Sequence, residues 1–383
     1  MIGLPSFKGL PIAPLEGAFN NVTNSYKFYW FLAILEQAKS TSTGILSINE
    51  LLAQMVASVW YPVHYYRLSF GKQDRLGLVV NHLKNVDRSL DASSKPGVIF
   101  ESALRQIWSQ SRLGRDIKSL GNYVPHRFLR PFFDTQLRGR PDSMVNGLIE
   151  KLAEAAFPDE LSPCLYRFVS EPTDSIELHP LWLEYLRQHV KILAGFTLWH
   201  LTRYLQRNNP NVPNVSGKLF RPEQRDLRAA RAFWNLAIER LGEVRCIYSK
   251  VLVSREEFSL DHFLPWSFVC HDLLWNIVPT AQWINSAKGD QVPDLTEYFE
   301  PFSELQYTAL QAVVQTRNLK ILEDYITLLK GGADRQLHKL SYHEFRQSLF
   351  DTIAPQVQIA RNMGFGADWR YQERECFGDK KSQ

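Results

Sequence analysis

The stretch SLDHFLPWSF, residues 259–268, sets a carboxylate, Asp261, directly beside an imidazole, His262. Downstream come Asn276, Asn285 and Lys288, with Pro265, Ser267 and Pro293 around them. A carboxylate oxygen and an amide oxygen form a sparse, hard donor pair. Such a pair suits Mg²⁺ or Mn²⁺, ions that keep several waters and take further ligands from substrate phosphates. An imidazole can accept a proton from water near neutral pH. A lysine near the same site can neutralise charge on a pentacovalent phosphate. Together these residue types describe a one-metal phosphodiesterase. Asp261 and Asn285 hold the ion, His262 is the base, Asn276 fixes the histidine ring through a hydrogen bond, and Lys288 faces the transition state.

Such a site needs a strand, a loop and a helix to assemble it. Between residues 244 and 270 the helical pattern of the chain breaks. VRCIYSKVLVS and EFSLDHFLP, short and rich in β-branched and aromatic residues, read as two strands joined by a loop. A short helix follows from about Pro279 to Lys288, with proline where a missing N–H costs little. Neighbouring side chains on a strand point to opposite faces, so Asp261 and His262 must do different jobs. Burying Trp283 or Ile284 against the hairpin brings Asn285 towards Asp261. Blander roles exist for each residue. Asn276 can cap a helix, Lys288 can complement a helix C-terminus, and Ser267 can support a turn. His271-Asp272, a second acid–imidazole pair with nothing spaced to serve it, reads as loop surface.

The stretch LDHFLPWSF…HDLLWNIVP…INSAKGDQVP resembles the HNH (ββα-metal) endonuclease family in its H-N-N variant. It is similar in motif to the HNH domain of CRISPR RNA-guided nucleases. The resemblance covers residues 244 to 299 and rests on Asp261-His262, Asn276, Asn285 and the run Lys288-Gly289-Asp290-Gln291-Val292-Pro293. It implies that Asp261 and Asn285 bind one catalytic Mg²⁺ or Mn²⁺, that His262 is the general base, and that Asn276 positions it. The products it implies are a 5′-phosphate and a 3′-hydroxyl. Zinc-stapled relatives carry two C-x-x-C pairs. Here the first survives only as Cys246 with Ser249, and the second falls on Ala281 and Ile284, so no structural zinc is expected and flanking helices are expected to support the motif instead.

The rest of the chain is read as helical: residues 25–39, 47–60 with a Ser cap and a Glu three positions on, and 181–207, whose all-round apolar character suggests a central element. NNPNVPNVSGKLF (208–220) reads as a linker. A helix over 221–242 would align Arg221, Arg225, Arg228 and Arg231 on one side, a face suited to tracking phosphates, although Glu223 and Asp226 dilute it. VPHRFLRPFFDTQLRGR (124–140) mixes Arg with Phe, a composition used for backbone contact and base stacking. The expected fold is mainly α with an embedded ββα-metal motif. Its expected parts are a helical N-terminal domain over 1–215, the nuclease domain with its arginine helix over 216–299, and a helical segment over 300–383 that ends in a polar tail.

A net charge of +4 permits a polyanionic partner without demanding one. Four scattered cysteines fit reduced thiols, no apolar run reaches the length of a membrane span, and the N-terminus lacks a signal-peptide core. The expected setting is cytoplasmic, away from membranes. The reading is a metal-dependent endonuclease acting on DNA ahead of RNA, with defence against phage or plasmid DNA suggested by family analogy alone. The alternatives are an RNA-cleaving toxin, and a non-catalytic nucleic-acid or partner-binding protein with a relic motif. One ββα site cuts one strand, so double-strand cleavage calls for a homodimer or two nicks, and a protein partner that gates activity stays open.

Overall fold

The computed structural model describes residues 3–20, 22–159, 161–170, 174–222, 225–255, 257–315, 322–329 and 337–372. Glu223, Cys376 and the polar tail lie outside the described residues. The fold is mainly α, with five short strands in two small sheets among the described residues. It divides into two compact units: Met1–Pro210 with Val215–Pro222, and Asn211–Asn214 with Glu223–Gln383. The chain crosses between the units at 210/211, 214/215 and 222/223, the last beyond the Asn- and Pro-rich stretch 208–220.

In the first unit the helix Tyr26–Ala38 buries Phe28, Trp30, Phe31, Ile34 and Leu35. It packs against Ile48–Trp60, which packs in turn on Pro96–Trp108. Ser47 stands at the start of Ile48–Trp60 without making the expected side-chain cap. A three-stranded antiparallel sheet, β1 (Ile45–Ser47), β3 (Ser175–Leu178) and β2 (Tyr166–Val169), lies in the order β1-β3-β2. The stretch 181–207 breaks at His189 into Pro180–Gln188 and Val190–Asn208. The second helix is not buried all round. Leu193, Thr197, Leu201, Tyr204 and Leu205 form one inward stripe, while Ile192 and Trp199 stay 53% and 46% exposed. Apolar content alone overstated its burial, because burial follows the stripe at helical spacing.

The second unit holds the ββα element. Its strands are β4 (Ser259–His262) and β5 (Ile277–Thr280), paired antiparallel with Ser259 opposite Thr280 and His262 opposite Ile277. The expected assignment is therefore corrected: VRCIYSKVLVS is not the first strand, and Pro279 lies inside β5 rather than at a helix start. Residues 244–253 form a tight knuckle. Cys246 N–H donates to Val251 O and Lys250 N–H to Cys246 O, with Lys250 at φ 61° and only the Arg245–Leu252 bridge strand-like. The motif helix, Gln282–Lys288, follows β5 directly and ends at Gly289, whose φ of 55° and ψ of −125° favour glycine. The arginine helix begins at Arg228, not 221, because the Asp226 carboxylate accepts the Arg228 N–H and turns the chain ahead of it.

Three further helices, Leu295–Val314, Glu323–Leu328 and Tyr342–Asn362, complete this unit and share its core with the hairpin. Phe263 stacks on Phe302 with ring centroids 4.0 Å apart. The Ile277 carbonyl accepts from Trp234 Nε1 at 3.0 Å and from Gln306 Nε2 at 2.8 Å. Gln306 also reaches Leu274 O, and its own oxygen accepts from Tyr325 OH. The two small strands are thus braced by side chains of the surrounding helices, which a two-stranded sheet needs for stability. Among the described residues no helix is long and apolar enough to cross a membrane.

Candidate active site

β4 presents Asp261 and His262 to opposite faces, both buried, at 2% and 3% exposure. On the Asp261 face, the Lys288 ammonium donates to Asp261 Oδ1 at 3.1 Å and to His262 O at 2.6 Å. Tyr248, delivered by the knuckle, donates its hydroxyl to Asp261 Oδ2 at 2.7 Å. Burial and the adjacent Asp261 charge push the Tyr248 phenol well above its ordinary range, so it stays a donor. One turn before Lys288, Asn285 donates both amide hydrogens to β4: to Ser259 Oγ at 2.7 Å and to Leu260 O at 3.1 Å. The motif helix is thereby pinned along the face of the strand that carries Ser259 and Asp261.

On the other face, His262 Nε2 meets Asp272 Oδ1 at 2.8 Å. A carboxylate accepts, so Nε2 carries a hydrogen, and in the neutral form of the ring Nδ1 is the nitrogen with the lone pair. Asp272, read as loop surface from the sequence, is the ring's partner. Asn276 lies elsewhere: its amide clamps the backbone of Leu264, with Oδ1 accepting from Leu264 N at 2.8 Å and Nδ2 donating to Leu264 O at 3.0 Å. It closes the base of the loop that carries Asp272. Ser267 is buried, and its hydroxyl finds no hydrogen-bond partner among the described residues. Lys288 is enclosed against Asp261 rather than directed towards solvent.

Tyr248 and Asp272 escaped the sequence reading. A signal for Asp272 existed. With His262 opposite Ile277, the residues just before Ile277 must return to the histidine. Fixing that register required the strands to be assigned correctly.

The donor chemistry fits a hard divalent cation. Asn285, its hydrogens engaged by β4, has an amide oxygen as its remaining polar atom, and each Asp261 oxygen keeps a lone pair beyond its one donor. Among the described residues, no cluster of three or more His, Cys, Asp or Glu side chains could hold a metal. An ion here would rest on the Asp–Asn oxygen pair, water and substrate. At the places of the zinc-stapling cysteines, the Cys246 thiol contacts Thr280 Oγ1 at 3.0 Å and Ile284 is buried in the core.

The arginines divide. Arg221 belongs to the first unit, where it reaches Ser93 O at 3.4 Å. Arg225 lies over the Trp266 ring at 5.3 Å, Arg228 pairs with Asp226 at 2.5 Å, and Arg231 donates to Phe258 O at 2.6 Å. These three line a groove of about 710 Å³. Arg231 also borders a second concavity of about 610 Å³ that takes in Ser259, Gln282 and Trp283. Glu257 also lines this second concavity, and Arg231 is the residue it shares with the arginine groove.

Neither curated proteins nor solved structures provide a match to this chain. A family model described as HNH endonuclease matches residues 246–294, from the knuckle to the residue after the final proline of the motif, and this part of the chain is an HNH family domain.

Proposed function

We propose that the chain is a metal-dependent endonuclease that hydrolyses phosphodiester bonds in DNA, in the H-N-N manner. The observation that carries the reading is the His262–Asp272 hydrogen bond, which sets a base nitrogen on the residue next to the buried carboxylate Asp261. Asp261 and Asn285 would hold one Mg²⁺ or Mn²⁺, which when bound supplies charge neutralisation at the phosphate. His262 Nδ1 takes the proton of the attacking water while Asp272 steadies the resulting imidazolium. The bond from phosphorus to the 3′ oxygen breaks, leaving a 3′-hydroxyl and a 5′-phosphate. Lys288 holds the Asp261 carboxylate and the His262 carbonyl in place. Arg225, Arg228 and Arg231 contact backbone phosphates along the groove. Use against invasive DNA follows from family analogy alone.

The burial of Asp261, His262 and Lys288 favours a second element in the reading: the site is closed in this conformation, and substrate or a partner opens it. Plasmid cleavage by purified protein with Mg²⁺ or Mn²⁺, with EDTA, and with His262→Ala and Asn285→Ala tests the proposal. The expected result is metal-dependent nicking that both substitutions abolish. If wild type is inert on DNA and RNA, a Mn²⁺ binding isotherm decides: binding lost in Asp261→Ala marks a gated enzyme, and no binding through Asp261 marks a relic motif.

A further inference from the structure

The first compact unit carries a second set of basic residues, remote in sequence from the HNH motif. A concavity of about 340 Å³ is lined by Tyr26, Lys27, Tyr123, Arg127, Arg130 and Asp142. Another, of about 760 Å³, is lined by Phe19, His200, Arg203, Tyr204 and Arg207. The two share Val22 and so adjoin along the segment 19–27. Lining them are five cations (Lys27, Arg127, Arg130, Arg203 and Arg207) and one carboxylate, Asp142, already held at 2.6 Å by Arg127. Nearby Asp74 is turned inward onto the Ser25 and Leu76 amides. Burial first, then the Arg130 and Arg127 guanidinium groups, lower the Lys27 ammonium to about 8, and it donates to Ala18 O at 3.2 Å.

Aromatic rings accompany the charge. Trp199 is 46% exposed with the Arg203 guanidinium 4.8 Å from its ring, and Tyr123 is 60% exposed beside Arg127 at 5.9 Å. Cations that track phosphates, interleaved with exposed rings, are what a polymer backbone requires. A strip of two adjoining basic concavities exceeds what one small phosphate ligand needs.

We infer that the N-terminal unit has its own DNA-backbone-binding surface, formed by Lys27, Arg130, Arg203 and Arg207, separate from the arginine groove of the nuclease unit. The choice of DNA rests on the proposed function; the surface itself does not. It holds substrate independently of the reaction site and contributes affinity without sequence reading.

The test uses the full chain carrying His262→Ala, in EDTA, with a short labelled duplex and fluorescence anisotropy across a salt series. Lys27→Gln/Arg130→Gln/Arg203→Gln/Arg207→Gln is compared with Arg88→Gln/Lys95→Gln/Arg112→Gln/Lys151→Gln, an equal charge change at exposed positions elsewhere in the same unit. The expected result is at least a roughly tenfold weaker affinity for the first set only, and a salt slope reduced by about 3 to 4, at roughly 0.9 per phosphate contact. Equal losses in both sets, or none in either, overturn the inference. So does displacement of the duplex by a mononucleotide or inorganic phosphate, which identifies a small-ligand pocket. Because the assay needs neither cleavage nor metal, this surface stands or falls on its own, while wild-type plasmid cleavage and Mn²⁺ binding through Asp261 decide the nuclease reading separately.

Discussion

The carboxylate of Asp261 has a structural task beside the chemical one proposed for it, because each of its oxygens already meets a donor and one of those donors is a buried ammonium. Removing one partner of a buried ion pair leaves an uncompensated charge, which costs about 3–5 kcal/mol. Asp261→Asn and Lys288→Gln should each destabilise by that order in urea unfolding, while the double variant loses clearly less than the sum. Strict additivity would show that the pair is not coupled. Asp272 offers a cleaner test of catalysis, since it is partly solvated and its loss strands no buried charge. His262→Ala should lower turnover about 10²–10⁴-fold, the scale of a general base. Asp272→Asn should lower it about 10- to 100-fold, as loss of an orienting partner does, with the melting temperature nearly unchanged. Wild-type turnover in Asp272→Asn would remove it from the mechanism. Asp261, His262 and Asn285 stood out in the sequence because their types and order are unusual together, and the structure brings Asp261 and Asn285 to the same face of one strand. Asp272 did not, because its role depends on which residue faces His262 across the hairpin.

Elements were legible where their hydrophobic stripe was regular and obscure where hydrogen bonding decided. Tyr26–Ala38, Ile48–Trp60 and the C-terminal helices fall where apolar spacing places them. The knuckle 244–253 has the composition of a strand, yet its backbone turns on itself at Lys250 and pairs with no neighbour for a strand's length. One exposed carboxylate, Asp226, shortened the arginine helix by a full turn or more. A buried carboxylate, Asp294, starts the helix Leu295–Val314 by accepting from Thr296 N–H at 2.8 Å, and pairs with Arg370. The Thr296 hydroxyl, then Arg370, hold the Asp294 carboxyl down at about 2, below the ordinary value of roughly 4 it regains on unfolding. Its stabilisation is therefore fully present above about pH 4 and is lost as pH falls towards 2. Asp294→Ala should cost about 1 kcal/mol at neutral pH, the usual worth of a helix cap. The gap to wild type, read by denaturant unfolding, should close on acidification through that window. A gap that persists at the acid end would assign the loss to packing.

At the scale of the whole molecule, the second unit has its own core, formed by buried residues between Ala230 and Phe365. The fragment 211–383 should therefore fold alone and melt in a single cooperative transition by circular dichroism, and a broad, non-cooperative melt would show that this core depends on the first unit. The sequence did not indicate what the first unit presents to solvent. Within 124–140, Arg127 and Arg130 face a basic concavity while Phe128 and Phe133 are buried. The exposed Trp199 and Arg203 sit on a helix whose composition reads as interior.

The bracing of the hairpin by Trp234, Gln306 and Tyr325 bears on how such a domain can be moved between proteins. A ββα motif stapled by zinc carries its own support and can be grafted into a new host as a short cassette. Here the matched stretch 246–294 leans on the helices Arg228–Leu241 and Leu295–Val314 for the partners of its own backbone carbonyls. A transplant cut at the motif's edges would arrive without them. The smallest portable piece, for recombination or for a protein engineer, is the whole second unit.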